Sequence, residues 1–200
     1  MSRRWTAALA GWPTLALTLW VTVVSGQVKL SGRCPYIPAL RPFDTYRFLG
    51  KWFEAERFFV SYESLAGRCW GERYVLLGGR VSTLLEWRLA LLGTPVSIRQ
   101  LLGNPDPRDK ARFSYVVARP NVPFLRGEYK ILATDYKNYA IAWQCENKKL
   151  SNSHTEIGWL LTRSRHPSYE VIHAAKAAAL AAGLDVRHFQ KQDRRGCHPL

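Results

Sequence analysis

Few side chains in this chain can do covalent or metal chemistry. The candidates are four cysteines, Cys34, Cys69, Cys145 and Cys197, and five histidines. There is no Cys-x-x-Cys pair and the histidines lie apart, which argues against a zinc site. A cysteine nucleophile needs a free thiol. An even cysteine count behind a secretory leader points instead to disulfides formed in an oxidising compartment. Four cysteines allow three pairings, and spacing does not choose among them. Met1 is the only methionine, so thioether oxidation is excluded for a chain cut after its leader. Asp135 forms no recognisable constellation with a serine or histidine. It reads as a turn residue whose carboxylate accepts backbone amides. Nothing in the pattern calls for a cofactor.

The leader is written in the first 26 residues. Arg3 and Arg4 make a basic start, Trp5 to Val24 carries no charge, and small residues follow. This is the form of a signal peptide cut after Gly26, leaving a single secreted domain over residues 27–200. The competing reading is an uncleaved anchor, but Gly11 and Pro13 interrupt the apolar run. Removing Arg3 and Arg4 from the 29 basic residues leaves 27 against 15 acidic ones, a formal net charge of +12. Such a surface could attract anionic lipid or glycosaminoglycan. Basic residues gather at Lys148–Lys149, Arg163–His166 and Arg187–Arg195, without the aromatic-basic grammar of a nucleic-acid module.

Residues 26–43 read as a proline-rich extended arm held by Cys34. A series of strand-like segments follows, separated by turn signals such as "LGGR" and "LLGTP". In "KWFEAERFF" the alternation sets Phe53, Ala55 and Arg57 on one face and Trp52, Glu54 and Glu56 on the other. Regular alternation would thus aim both glutamates inward with Trp52, where they need partners, and would aim Arg73 outward, opposite Tyr74. "HPSYEVIHAAKAAALAAGLD" breaks the series and predicts a helix capped by Ser168 and ended by Gly183. Its apolar stripe is mostly alanine, which permits close approach to a sheet. "LDVRHF" could add a short strand. Eight or nine short strands at this spacing predict an all-β sandwich or barrel, and eight closing into a barrel enclose room for one small ligand.

Three motifs then carry a resemblance. "FLGKWFEAERF" resembles the first motif of the lipocalins, Gly-x-Trp, here Gly50 and Trp52. "ILATDYKNYAIAWQC" resembles the second, here Thr134, Asp135 and Tyr136, and "GWLLTRSRHP" the third, ending at Arg163. Their order, followed by the alanine-rich helix, is similar to the branch of that family containing apolipoprotein D and its insect relatives. The segments "RCPYIP", "GRC" and "GCHPL" extend the likeness from Cys34 to Cys197.

The resemblance implies an eight-stranded antiparallel up-and-down barrel with one C-terminal helix packed outside. It implies the pairings Cys34–Cys145 and Cys69–Cys197. It implies a carrier, not an enzyme, for a fatty acid, sterol, retinoid or bilin. Trp159, Tyr74, Phe113 and Tyr129 are the wall residues by positional matching. Trp52 would be the barrel floor, with Arg163 across its indole face. Three departures stand out, the first being the high positive charge, which is unusual for the branch. The segment between Val117 and Tyr129 reads as a loop longer than in the branch, one that could reshape the mouth or touch a membrane through Val122, Phe124 and Leu125. No Asn-x-Ser/Thr sequon occurs. The alternatives to a carrier are a cavity enzyme with a free cysteine, or a basic protein that binds anionic lipid or glycosaminoglycan surfaces.

Overall fold

The computed structural model describes residues 28–60, 67–119 and 122–197. The predicted leader lies outside them. Among the described residues one antiparallel sheet contains every strand, in the order β1-β9-β8-β7-β6-β5-β4-β3-β2-β10, and an added β2–β9 pairing closes it. The barrel strands are β2 (Gly50–Phe58), β3 (Gly67–Leu77), β4 (Arg80–Leu89), β5 (Pro95–Gly103), β6 (Arg112–Arg119), β7 (Val122–Thr134), β8 (Tyr139–Asn147) and β9 (Ser153–Thr162). Each pairs with its neighbour in sequence, so the expected up-and-down barrel is the observed one. Closure removes the free edges that an open sheet would expose.

The ends add two short strands. β1 (Val28–Ser31) lies in the stretch read as an irregular arm, and pairs with β9. β10 (Phe189–Lys191) pairs with β2. Disulfides join Cys34 to Cys145 and Cys69 to Cys197, closing separations of 111 and 128 residues.

The segment read as a long loop between Val117 and Tyr129 is instead a hairpin. β6 runs to Arg119 and β7 begins at Val122, with Val117 opposite Leu125 and Arg119 opposite Val122. The register slips between Val117 and Arg119.

Helix α2 (Tyr169–Ala181) packs outside the barrel. α1 (Thr45–Phe48) is a single turn before β2. Ser168 Oγ accepts from the Val171 amide at the start of α2, and Gly183 turns the chain after it at φ +95°. Ala175 and Ala179 are fully buried against Ile141, Trp143 and Leu160 of β8 and β9. Their small side chains let the helix lie close to the sheet.

The closed end is built on Trp52, which is fully buried. Its Nε1–H donates to the Phe48 carbonyl at 2.9 Å, and its ring stacks on Phe48 at 5.1 Å. The Arg163 guanidinium lies 3.7 Å from the centre of the indole. It donates to the carbonyls of Tyr136 at 3.1 Å, Lys51 at 3.0 Å and Arg47 at 3.0 Å. One side chain thus ties α1, β2, the β7–β8 turn and the end of β9 together. Gly50 has φ +98°, and a Cβ there would sit 3.1 Å from Arg163 Nη1, so the position needs glycine on two counts.

The β7–β8 turn is held from within. Asp135 accepts from the amides of Lys137, Asn138 and Tyr139 at 2.7–3.1 Å. Thr134 Oγ1 donates to the Tyr139 carbonyl and accepts from the Tyr136 amide. The Tyr136 hydroxyl accepts from the Asp44 amide, joining the turn to the segment before α1.

Candidate functional site

Above this floor the barrel encloses a cavity of about 610 Å³, within the range of small-molecule sites. Tyr74 and Tyr129 form its inner end, their hydroxyls 3.1 Å apart. Phe48 packs edge-on against Tyr74 at 4.9 Å and separates it from Trp52. Trp52 does not line the cavity. Trp159 of β9 forms part of the wall, edge-on to Tyr129 at 6.5 Å. Trp159, Tyr74 and Tyr129 thus come together around one space.

Phe113 does not join them. It is buried beside Tyr129 at 5.5 Å and Phe43 at 6.1 Å, within the aromatic packing of the closed end. Its place near the start of β6 sets it below the cavity, which corrects the expectation that it is a wall residue.

The polar part of the wall follows from strand parity and one exception. On β3, Trp70, Glu72 and Tyr74 all line the cavity, while Arg73 is exposed. On β2 the phase breaks at a register shift between Glu54 and Glu56. Glu54 keeps the inward side with Trp52 and lines the cavity. Ala55 and Glu56 both lie on the outer side, where Glu56 pairs with Lys176 of α2 at 2.8 Å. Arg57 is therefore turned inward, fully buried, bound to Glu54 at 2.7 Å and 5.4 Å from the centre of the Trp70 ring. The expected inward Glu56 and outward Arg57 are thus exchanged, because the bulge inserts one residue and reverses parity beyond it.

Toward the mouth, Trp70 and Trp87 stack with ring centres 4.7 Å apart and planes 11° from parallel. Gln100 Oε1 accepts from Thr83 Oγ1, and the Tyr115 hydroxyl donates to Gln144 Oε1. A Cβ at Gly127 would come within 2.6 Å of the Tyr115 hydroxyl, so the glycine leaves room for that ring. Burial, followed by the charge of Glu72, holds the pKa values of Tyr74 and Tyr129 well above the ordinary 10.0. Both phenols stay neutral at physiological pH.

The geometry bears on two other chemistries. Each of the four cysteines of the chain is in a disulfide, which leaves no thiol for the cysteine-nucleophile alternative. Cys145, His154 and Glu156 bring potential metal donors within 4.8 Å of one another. The Cys145 sulfur is bonded to Cys34, and the two His154 nitrogens lie against the Gly32 carbonyl and Glu156. That arrangement fastens β1 to β9 rather than presenting a cation site.

The mouth carries exposed leucines at two hairpin tips. Leu91 and Leu92 follow β4, and Leu150 follows β8 beside Lys148 and Lys149.

Comparison with known proteins places these features in context. The model of the lipocalin / cytosolic fatty-acid binding protein family matches residues 109–196. Apolipoprotein D from Oryctolagus cuniculus is 29% identical over 192 residues, covering 92% of this chain and 97% of that protein. The Lazarillo protein of Schistocerca americana is 26% identical over 185 residues, covering 90% of this chain and 83% of that protein. The solved structure of insecticyanin from the tobacco hornworm Manduca sexta superposes with a TM-score of 0.76 at 22% identity, covering 86% of this chain and 92% of the other. Apocrustacyanin C2 superposes with a TM-score of 0.66 at 18% identity, covering 84% and 92%.

Proposed function

We propose that this chain, matched in part by the lipocalin family model and similar over most of its length to apolipoprotein D and Lazarillo, is a lipocalin that acts as a secreted, non-enzymatic carrier of a small hydrophobic molecule held in the barrel. The observation that carries the reading is the cavity of about 610 Å³ between an aromatic floor and an open mouth. Transfer of a ligand from water to such walls gains roughly 25 cal/mol per Å² of apolar area buried. Few polar groups are needed, enough to orient the ligand. Trp159, Tyr74 and Tyr129 supply the apolar contact, and the Tyr74–Tyr129 hydroxyl pair supplies a polar point at the inner end. Fatty acids, sterols, retinoids and bilins are the classes of ligand considered. The test is to purify the protein natively, extract it with organic solvent and identify what is released. A stoichiometric hydrophobic molecule supports the reading. An empty extract, with no hydrophobic compound quenching the tryptophans on re-addition, refutes it.

A second activity is supported by the mouth. Leu150 stands exposed there next to Lys148 and Lys149, and Leu91 and Leu92 stand exposed on the β4–β5 hairpin, in a chain of high positive charge. Exposed leucines among basic residues suit contact with an anionic lipid or lipoprotein surface, from which a ligand could pass into the barrel.

A further inference from the structure

The fold gathers positive charge on one flank of the barrel. Residues directly opposed across neighbouring strands share a face of the sheet. Arg68 of β3 stands opposite Arg88 of β4, and Lys51 of β2 stands opposite Arg73 of β3. Arg73 in turn pairs with Leu84, and Leu84 with Arg99 of β5. Leu85 and Trp87 line the cavity, so alternation turns Leu84 and Arg88 outward. The outer apolar cluster buried under α2 takes no residue from β3, β4 or β5, so the helix leaves this flank uncovered.

Other arginines join it from elsewhere in the chain. Arg165, just beyond β9, lies over the Phe53 ring at 4.6 Å. Burial, followed by the charge of Arg88, lowers its pKa below the ordinary arginine value. Arg88 Nη1 donates to the Gly93 carbonyl at 2.9 Å, and a Cβ on Gly93 would sit 3.7 Å from Arg68 Nη2. The Arg68 and Arg88 guanidiniums therefore meet at the β4–β5 turn. Arg194 Nη1 donates to the Arg165 carbonyl at 2.8 Å. None of Arg68, Arg88, Arg165 and Arg194 is in an ion pair with a described carboxylate. The acids around them hold other cations: Glu86 binds Lys51 at 2.7 Å, Asp193 binds Arg195 at 3.0 Å and Glu56 binds Lys176 at 2.8 Å.

Like charges placed directly opposite one another destabilise a sheet. An oxyanion laid across them turns that repulsion into attraction, and the guanidinium fork suits its oxygens. The basic face extends about 13 Å along β4, from Arg88 to the row containing Leu84, and crosses strands about 4.8 Å apart. A bilayer resting on the hairpin tips would reach the Arg68–Arg88 pair and leave Arg73 and Arg99 out of contact. A flexible chain of anions can follow the whole curved flank.

We propose that the outer face of β2–β5 is a docking site for a sulfated polysaccharide, gripped by Arg68, Arg88 and Arg165 and continued by Arg73 and Arg99. None of these five side chains lines the cavity, so the inference stands apart from the carrier reading.

The probe is a heparin octasaccharide, titrated by calorimetry into the intact protein, with its desulfated form as control. The sulfated form should bind saturably and at least about tenfold more tightly than the desulfated one, and added salt should weaken it steeply. Arg68→Gln/Arg165→Gln should weaken binding at least about tenfold, and Arg73→Gln/Arg99→Gln, at two exposed positions, at least about threefold. Lys148→Gln/Lys149→Gln removes the same charge at the β8–β9 turn and should change binding less than about twofold. Equal losses in the flank and turn variants would reduce the effect to net charge and overturn the site. Flank variants that keep octasaccharide affinity but lose phosphatidylserine vesicles would assign the face to a bilayer and overturn the partner. Failure of the wild-type protein to bind the octasaccharide, or equal affinity for the desulfated form, overturns the proposal without any variant.

Discussion

Removing the Arg163 side chain should loosen the barrel without emptying it. The guanidinium donates to the carbonyls of Tyr136, Lys51 and Arg47 and covers the Trp52 ring at 3.7 Å. The Phe48 carbonyl also lies 3.3 Å from it, but that oxygen keeps the Trp52 indole as a donor. Three carbonyls therefore lose a donor in Arg163→Ala, each worth about 1 kcal/mol. The lost cation–π contact adds about 1 kcal/mol. Arg163 is partly exposed, so water would replace some of the lost bonds, and the expected loss is about 2–4 kcal/mol. Arg163→Lys should recover only part of it, because an ammonium cannot span several carbonyls or lie flat on an indole. The assay is urea unfolding followed by tryptophan fluorescence, with ligand affinity measured on the folded variant. Affinity should change little, since Arg163 does not line the cavity. An unchanged unfolding midpoint, or lost binding at unchanged stability, would refute the assignment of Arg163 and Trp52 to the floor.

Other consequences follow from the same structure. Ala179→Leu should destabilise the fold by about 1–3 kcal/mol through overpacking between α2 and the barrel, measured by the same unfolding titration. Tyr74 and Tyr129 have folded pKa values raised above the ordinary 10.0. Their contribution to stability is therefore complete below pH 10 and is lost as the pH rises through the folded values, because the unfolded chain gives up those protons first. Replacing both by Phe should flatten the alkaline limb of a stability–pH profile. Replacing Leu91, Leu92 and Leu150 by Asp should abolish co-sedimentation with phosphatidylserine vesicles while leaving ligand affinity intact. Undiminished vesicle binding would place the lipid contact elsewhere.

The barrel was legible in the sequence because its signals are local and repeated. Short alternating segments, turn pairs and three motifs in order describe strands that pair with their sequence neighbours. The α2 boundaries were legible through Ser168 and Gly183, which act on their own adjacent backbone. The wall was less legible. Trp70 and Glu72 were missed, although they share parity with Tyr74 in "CWGERYVLL" and could have been read from it. The inward turn of Arg57 had no such signal, because the bulge at Glu54–Glu56 arises from how β2 pairs with β9. Phe113 was assigned by positional matching, which carries no information on depth, and it packs with Phe43 and Tyr129 near the closed end. Parity comes from one strand, whereas depth depends on the stagger of all of them. The hairpin between Val117 and Tyr129 was read as a loop because its pairing comes from the register of β6 against β7, which no local signal announces.

The central claim is that a hydrophobic ligand lies inside the barrel, between Trp159 and the Tyr74–Tyr129 pair. Ala142 lines the same cavity and sits opposite Trp159 in the ladder, so Ala142→Phe would fill the space from within. The direct measurement is an equilibrium titration of the extracted ligand into wild-type and Ala142→Phe protein of equal foldedness by circular dichroism. The account predicts saturable one-to-one binding to the wild type and binding weakened at least about tenfold in the filled barrel, as a ligand loses the apolar area it would bury there. Equal affinity of the two proteins would put the ligand outside the barrel and contradict the account.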